Sequence, residues 1–294
     1  MRGPGEAKEI NEVNEVEEKS WGVAAFFDLD GTLVELPSLE RRLFQILRYR
    51  RLIPSSNYFL WLKEAARLMP RGISAILQAN KMYLRGVRVF DESGEGDGDI
   101  SSWHKSGHQA EGQASAPPLR NPRLPVPTFF AQAIERVAWH AKQGHEIVLL
   151  SGTLEPLARK AARALEGELA ACGITVKIQV IATRLEEMRG RWTGRILGEV
   201  MFGEAKARGA TRLAAEMSLD LERCFAYGDS LHDRWLMAVV GRPAAVNPST
   251  DLASVARERG WPILKWEEKE NITQRPRGVA EKKNQHAVIA GCKW

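Results

Sequence analysis

Cysteine is scarce in this 294-residue sequence, which holds three: Cys172, Cys224 and Cys292. They are too few and too scattered for a disulfide framework, and no two of them form a C-x-x-C metal pair. A reduced, cytoplasmic setting is the expectation. Long apolar runs are missing too. None nears the roughly 18 residues of a membrane span, and the first residues are acidic and polar, unlike a basic, apolar leader. There is no Gly or Pro periodicity and no internal repeat, so fibrous and repeat classes are set aside, and no recognisable nucleic-acid motif is present. What remains, at 44% apolar and 27% charged, suits a globular chain built as one large domain or as a core carrying a smaller one.

Charge is distributed unevenly. Residues 1–20 hold six Glu against Arg2, Lys8 and Lys19 and read as a disordered acidic tail. Of the 37 positions in 91–127, 15 are Gly, Ser or Pro, which describes a flexible linker, and 267–294 read as a loose C-terminal tail. Between them, short apolar runs at 23–27, 146–150, 176–181, 224–227 and 244–246 each end at a polar or glycine turn. They alternate with helical periodicity over 128–143, 154–171, 203–217 and 231–240. This pattern predicts an α/β fold with a doubly wound parallel sheet, its core formed by 21–37 and 128–266. Residues 38–90 interrupt the alternation with two or three amphipathic helices. Eleven basic residues there face only Glu40 and Glu64, a net +9 that leaves −4 for the rest of a chain whose total is +5. A small basic helical domain is thus inserted just after the first strand.

Four polar clusters follow, and a doubly wound sheet gathers strand-end residues at one edge. In Asp28-Leu29-Asp30-Gly31-Thr32, two carboxylates spaced two apart can divide nucleophilic and proton-transfer work and attract a divalent cation. A calcium loop is the plainer alternative, but the further oxygen ligands and spaced Glu that it needs are missing. Ser151-Gly152-Thr153 offers a hydroxyl and amides for an oxyanion at a helix start, or else a simple N-cap. Lys206 lies early in a helix, where a solvated surface lysine is the ordinary reading. Tyr227-Gly228-Asp229-Ser230-Leu231-His232-Asp233 again puts carboxylates at a strand end, or forms a capped turn.

In order and spacing these clusters resemble the haloacid dehalogenase superfamily, with its D-x-D-G-T turn, Ser/Thr turn, Lys and G-D-x-x-x-D turn. Gly144-His145, residues 182–186 and 190–195, Asn247-Pro248 and residues 259–262 are similar to its phosphoserine-phosphatase-like branch, subfamily IB. The resemblance implies a Rossmann-like core with a helical cap and a Mg²⁺-dependent phosphatase acting on a phosphate monoester. Asp28 would be the nucleophile, forming an aspartyl-phosphate, and Asp30 the general acid and base. Ser151 and Gly152 would hold phosphoryl oxygens together with Lys206, which would also act catalytically. Asp28, Asp229 and the backbone carbonyl of Asp30 would bind the metal, while Asp233 would either support the metal or orient Lys206. A phosphotransferase or phosphomutase would use the same residues. A non-catalytic module binding membrane or nucleic acid through the basic cap is the reading from another class, and the intact acidic set argues against it. The family's substrate-binding cap glutamate falls at Pro37, with Glu35 and Glu40 displaced, so phosphoserine itself is not assigned. The basic cap is expected to be an amphipathic lid with a solvated cationic face over a small phosphorylated substrate; the sharper alternative is that this face steers a polyanionic or membrane-borne ester of the lysophosphatidate type, with peripheral membrane contact. His140 and His145 are read as structural.

Overall fold

The computed structural model describes residues 21–89 and 124–267. The tail at 1–20, most of the 91–127 linker and nearly all of the C-terminal tail lie outside the described residues. In chain order the core opens with β1 (Ala24–Phe27), and the insertion supplies α1 (Leu39–Tyr49), α2 (Ser55–Leu68) and α3 (Ile73–Ala79). Then come α4 (Ala131–Lys142), β2 (Glu146–Leu154), α5 (Glu155–Ala171), β3 (Ile178–Met188) and β4 (Arg191–Leu197). The last part contains α6 (Glu204–Met217), β5 (Phe225–Gly228), α7 (Arg234–Ala238), β6 (Arg242–Val246), α8 (Thr250–Glu258) and β7 (Ile263–Leu264).

Among the described residues seven strands form one sheet in the order β4-β3-β2-β1-β5-β6-β7, parallel throughout except for the antiparallel β3–β4 pair. Strand order switches sides at β1, whose neighbours are β2 on one side and β5 on the other, so the carboxyl ends of these three strands make the crevice where ligands collect in such sheets. Both faces are covered because both faces of each central strand are apolar. Ala25 and Phe27 of β1 point into a core with Ile147, Leu149, Val137 and Leu165; Ala24 and Phe26 point into a second core with Val148, Leu213 and Leu252. His140 is fully buried beside the first core, where its ring meets the Tyr227 hydroxyl at 2.9 Å and His145 at 2.8 Å. The histidines therefore belong to the packing of the sheet.

The third strand is longer than the apolar run at 176–181 suggests. β3 continues to Met188 and returns as β4 through Arg189-Gly190, both at positive φ (54° and 71°), as a tight right-twisting hairpin requires. The hairpin has a structural task. Trp192 N donates to Val87 O at 2.9 Å and Gly86 N to Trp192 O at 2.8 Å, which zips the exit of the cap onto the core. Gly194 makes this possible, since a Cβ there would lie 3.1 Å from Met82 Cα. On the entry side, Arg42 of α1 donates to Glu35 O (2.8 Å), Pro37 O (2.8 Å) and Val126 O (3.3 Å), bonding to both chain crossings between core and cap. Leu124, at the end of the segment read as linker, is buried against the core.

Candidate active site

The cap roofs a cavity of about 910 Å³ over the carboxyl ends of the central strands. Asp28, Asp30, Ser151, Gly152, Lys206 and Asp229 all line it, four segments brought together by the parallel sheet. Asp28 directly follows β1, and its N–H donates to Tyr227 O of β5 at 3.0 Å, so the sheet ladder itself fixes the carboxylate. Gly31 sits at φ 88°, and a Cβ there would lie 2.4 Å from Asp229 Oδ2; the D-x-D-G turn needs glycine for both reasons.

Lys206 is not on the surface. It is 3% exposed, and its ammonium donates to Asp28 Oδ1 at 2.6 Å and to Asp233 Oδ1 at 2.5 Å. Asp233 is fully buried, and its other oxygen accepts from Ser230 N (3.0 Å) and Ser230 Oγ (2.8 Å). Both its oxygens are thus engaged, one by Lys206 and the other by Ser230. Burial disfavours the lysine charge, but Asp233 and Asp28 outweigh it, and the ammonium stays protonated well beyond the usual lysine range.

Asp28, Asp229 and Asp233 each bring a carboxylate oxygen within 4.8 Å of the others. One ammonium cannot balance this set. Burial, with repulsion from Asp233 and Asp30, pushes the Asp28 carboxyl up to about 7 despite Lys206, and burial with repulsion from Asp28 and Asp233 pushes Asp229 up to about 8. Hard oxygen donors with excess negative charge in a buried cleft fit a Mg²⁺-like cation.

Asp30 behaves differently. Its Oδ1 accepts from Leu39 N, the first residue of α1, at 2.8 Å, and its Oδ2 accepts from Thr153 Oγ1 at 2.5 Å. Burial raises its pKa, and the Thr153 hydrogen bond opposes that rise. One oxygen therefore reads the cap and the other the core.

Ser151 and Gly152 reach the cavity by a different route from the helix start expected of them. β2 runs on to Leu154, with a register break between Ser151 and Leu154 opposite β3, and α5 begins only at Glu155. The bulge turns Gly152 and Thr153 toward the cavity, while Thr183 Oγ1 donates to Gly152 O at 2.8 Å and holds the loop open. A Cβ at Gly152 would lie 3.3 Å from Met201 O.

Glu40, set aside above as displaced from the family's substrate-binding position, lines the cavity, and so do several residues that the sequence did not mark. Glu40 accepts from buried Lys81 and from Tyr83 Oη (2.8 Å), so Lys81, counted with the solvated cationic face, belongs to an internal ion pair instead. Burial and the adjacent Glu40 raise the Tyr83 phenol well above its usual range. Phe44, Tyr58 and Trp61 give the cavity an aromatic wall on the cap side. No spacing rule marks these residues, because their convergence depends on how three cap helices pack.

A model of the haloacid dehalogenase-like hydrolase family matches residues 25–238. A Mycobacterium tuberculosis protein named phosphoserine phosphatase SerB1 is 30% identical over 241 residues, covering 82% of this chain and 70% of the relative. A probable phosphatase of the same organism is 35% identical over 139 residues, 47% of this chain and 45% of that one. Among solved structures, a protein of unknown function from Bordetella pertussis Tohama I aligns at a TM-score of 0.54 and 26% identity, covering 83% of this chain and 99% of the other.

Proposed function

The chain belongs to the haloacid dehalogenase-like hydrolase family, and from that membership we propose that it hydrolyses a phosphate monoester through a covalent aspartyl-phosphate on Asp28. Relatives named as phosphatases support hydrolysis over transfer to a second substrate. The observation that carries the reading is the buried Asp233–Lys206–Asp28 bridge, with Asp30 held beside it by Thr153 and Leu39.

In this reading an Asp28 carboxylate oxygen attacks phosphorus while Lys206 neutralises charge in the transition state. The bond from phosphorus to the ester oxygen breaks as Asp30 gives that oxygen its proton, and the alcohol leaves. Asp30, now a carboxylate, takes a proton from water as the water oxygen attacks the phosphorus. The bond between phosphorus and the Asp28 oxygen breaks, orthophosphate departs and both carboxyls are restored. The raised pKa of Asp30 suits a group that must hold a proton and then release it. Ser151 and the Gly152 amide bind the non-bridging oxygens. Asp28, Asp229 and the Asp30 carbonyl would hold a Mg²⁺ ion, which would supply charge neutralisation during phosphoryl transfer. The aromatic cap wall and the Glu40–Lys81 pair select a small phosphorylated substrate.

The test is Mg²⁺-dependent hydrolysis of a generic aryl phosphate. Asp28→Asn is expected to lose roughly a thousandfold or more of the rate. Asp30→Asn, with an aryl leaving group that needs little protonation, should accumulate the phosphoenzyme. Full activity in Asp28→Asn, or an inert wild type across a broad panel of phosphate esters, would overturn the proposal.

A further inference from the structure

We propose that the outer face of the cap docks onto an anionic phospholipid surface. The proposal rests on how α2 is turned. Its inward side carries Asn57, Trp61, Ala65 and Leu68, three or four residues apart and packed within the cap. An ordinary surface helix would be polar on the opposite side. Here that side presents Phe59 at 71% exposure and Leu62 at 61%, and past the end of the helix Met69 and Ile73, the first residue of α3, are 66% and 76% exposed. Tyr49, 90% exposed, ends α1 close in sequence to the start of α2. Isolated exposed apolar residues are common, but several large ones on one helix and the segment that follows it are not.

Charge says what covers this face. Arg48, Arg50, Arg51, Lys63, Arg67 and Arg71, on or next to the same elements in sequence, are all exposed. Between residues 41 and 89 the sole acidic residue is Glu64, which is already bonded to Arg67 at 2.6 Å. A second copy of this chain would set cation against cation. A surface of anionic lipid headgroups satisfies both features, taking apolar side chains into the acyl boundary and cations among the phosphates. Tyr58 and Trp61 of the same helix line the cavity, so one helix carries both the docking face and part of the cavity wall. Docking itself does not depend on the proposed hydrolysis.

The full chain is tested by flotation with vesicles of phosphatidylcholine alone and of phosphatidylcholine with about one third phosphatidylglycerol. Binding is expected on the anionic vesicles only, weakening as salt rises, with each basic residue neutralised costing about fivefold in partitioning. Phe59→Ser/Leu62→Ser should lose at least about tenfold in partitioning, yet hydrolyse a soluble aryl phosphate like the wild type, since neither residue lines the cavity. Absence of flotation at low ionic strength, or flotation unchanged in the double variant, would overturn the proposal. So would a wild-type dimer that the double variant abolishes, because it would assign the face to a second copy. Measuring aryl phosphate hydrolysis in the same preparations separates failure of docking from failure of the catalytic reading.

Discussion

Lys206→Met removes the one ammonium that bonds to both Asp28 and Asp233. The methionine stem keeps most of the packing, so the change isolates the charge. Three carboxylates within 4.8 Å are then left without a neutralising partner in a buried site. Stranding buried charge this way costs about 3–5 kcal/mol. For a folded unit of 150–250 residues, each kcal/mol moves the melting temperature by about 2–4 °C, so a fall of roughly 6–20 °C is expected. The cost should depend on pH with a definite sign. Asp28 and Asp229 already have folded pKa values raised to about 7 and about 8, so the folded state holds protons that the unfolded chain has released, and metal-free stability falls as pH rises through this range. Without Lys206 both values move higher. The gap between variant and wild type should therefore be smallest near pH 5, largest above pH 8, and reduced by saturating Mg²⁺. Urea unfolding followed by circular dichroism, at several pH values with and without Mg²⁺, measures it. A loss below about 1 kcal/mol, or one that does not vary with pH, would refute the claim that Lys206 holds together an over-charged acidic cluster.

Thr153→Val removes the 2.5 Å hydrogen bond that lowers the Asp30 pKa, so the basic limb of the pH–rate profile should shift upward, with kcat/KM falling about tenfold. An unshifted limb would show that Thr153 does not set the proton affinity of Asp30. Gly31→Ala places a methyl 2.4 Å from Asp229 Oδ2 at φ 88°, and should lower stability by about 2 kcal/mol and weaken Mg²⁺ activation, read from unfolding and metal titration. His140 is held neutral down to about 3, chiefly by burial, whereas an unfolded histidine protonates near 6.5. Its contribution to stability is therefore complete above pH 6.5 and lost as pH falls toward 3, amounting to about 2–3 kcal/mol by pH 4.5. Urea midpoints at pH 7 and 4.5 should converge in His140→Phe relative to the wild type.

Much of the architecture was legible because its causes are local. The run Ala24–Phe27 is apolar on both faces, which only a strand covered on both sides tolerates, and the alternation of such runs with helical periods specifies a doubly wound sheet. A parallel sheet then has little choice about where Asp28 and Asp229 go, since strand ends share an edge. The β3–β4 hairpin was not legible: its mixed burial hides the alternation, and its value lies in a distant pairing with Val87. Ser151 and Gly152 were marked, but the bulge that turns them toward the cavity depends on Thr183 of the neighbouring strand.

Residue type and order pointed to the α/β core, the inserted helices and the strand-end residues Asp28, Asp30, Ser151 and Asp229, because strand-end chemistry is carried by short contiguous motifs; Lys206 was singled out only by the family resemblance. Tertiary structure decided that Lys206 is buried between Asp28 and Asp233, that Lys81 turns inward to Glu40, and that Phe59 and Leu62 face outward. A sequence records which residues a helix carries, but which side is covered depends on the partners that the rest of the chain brings against it.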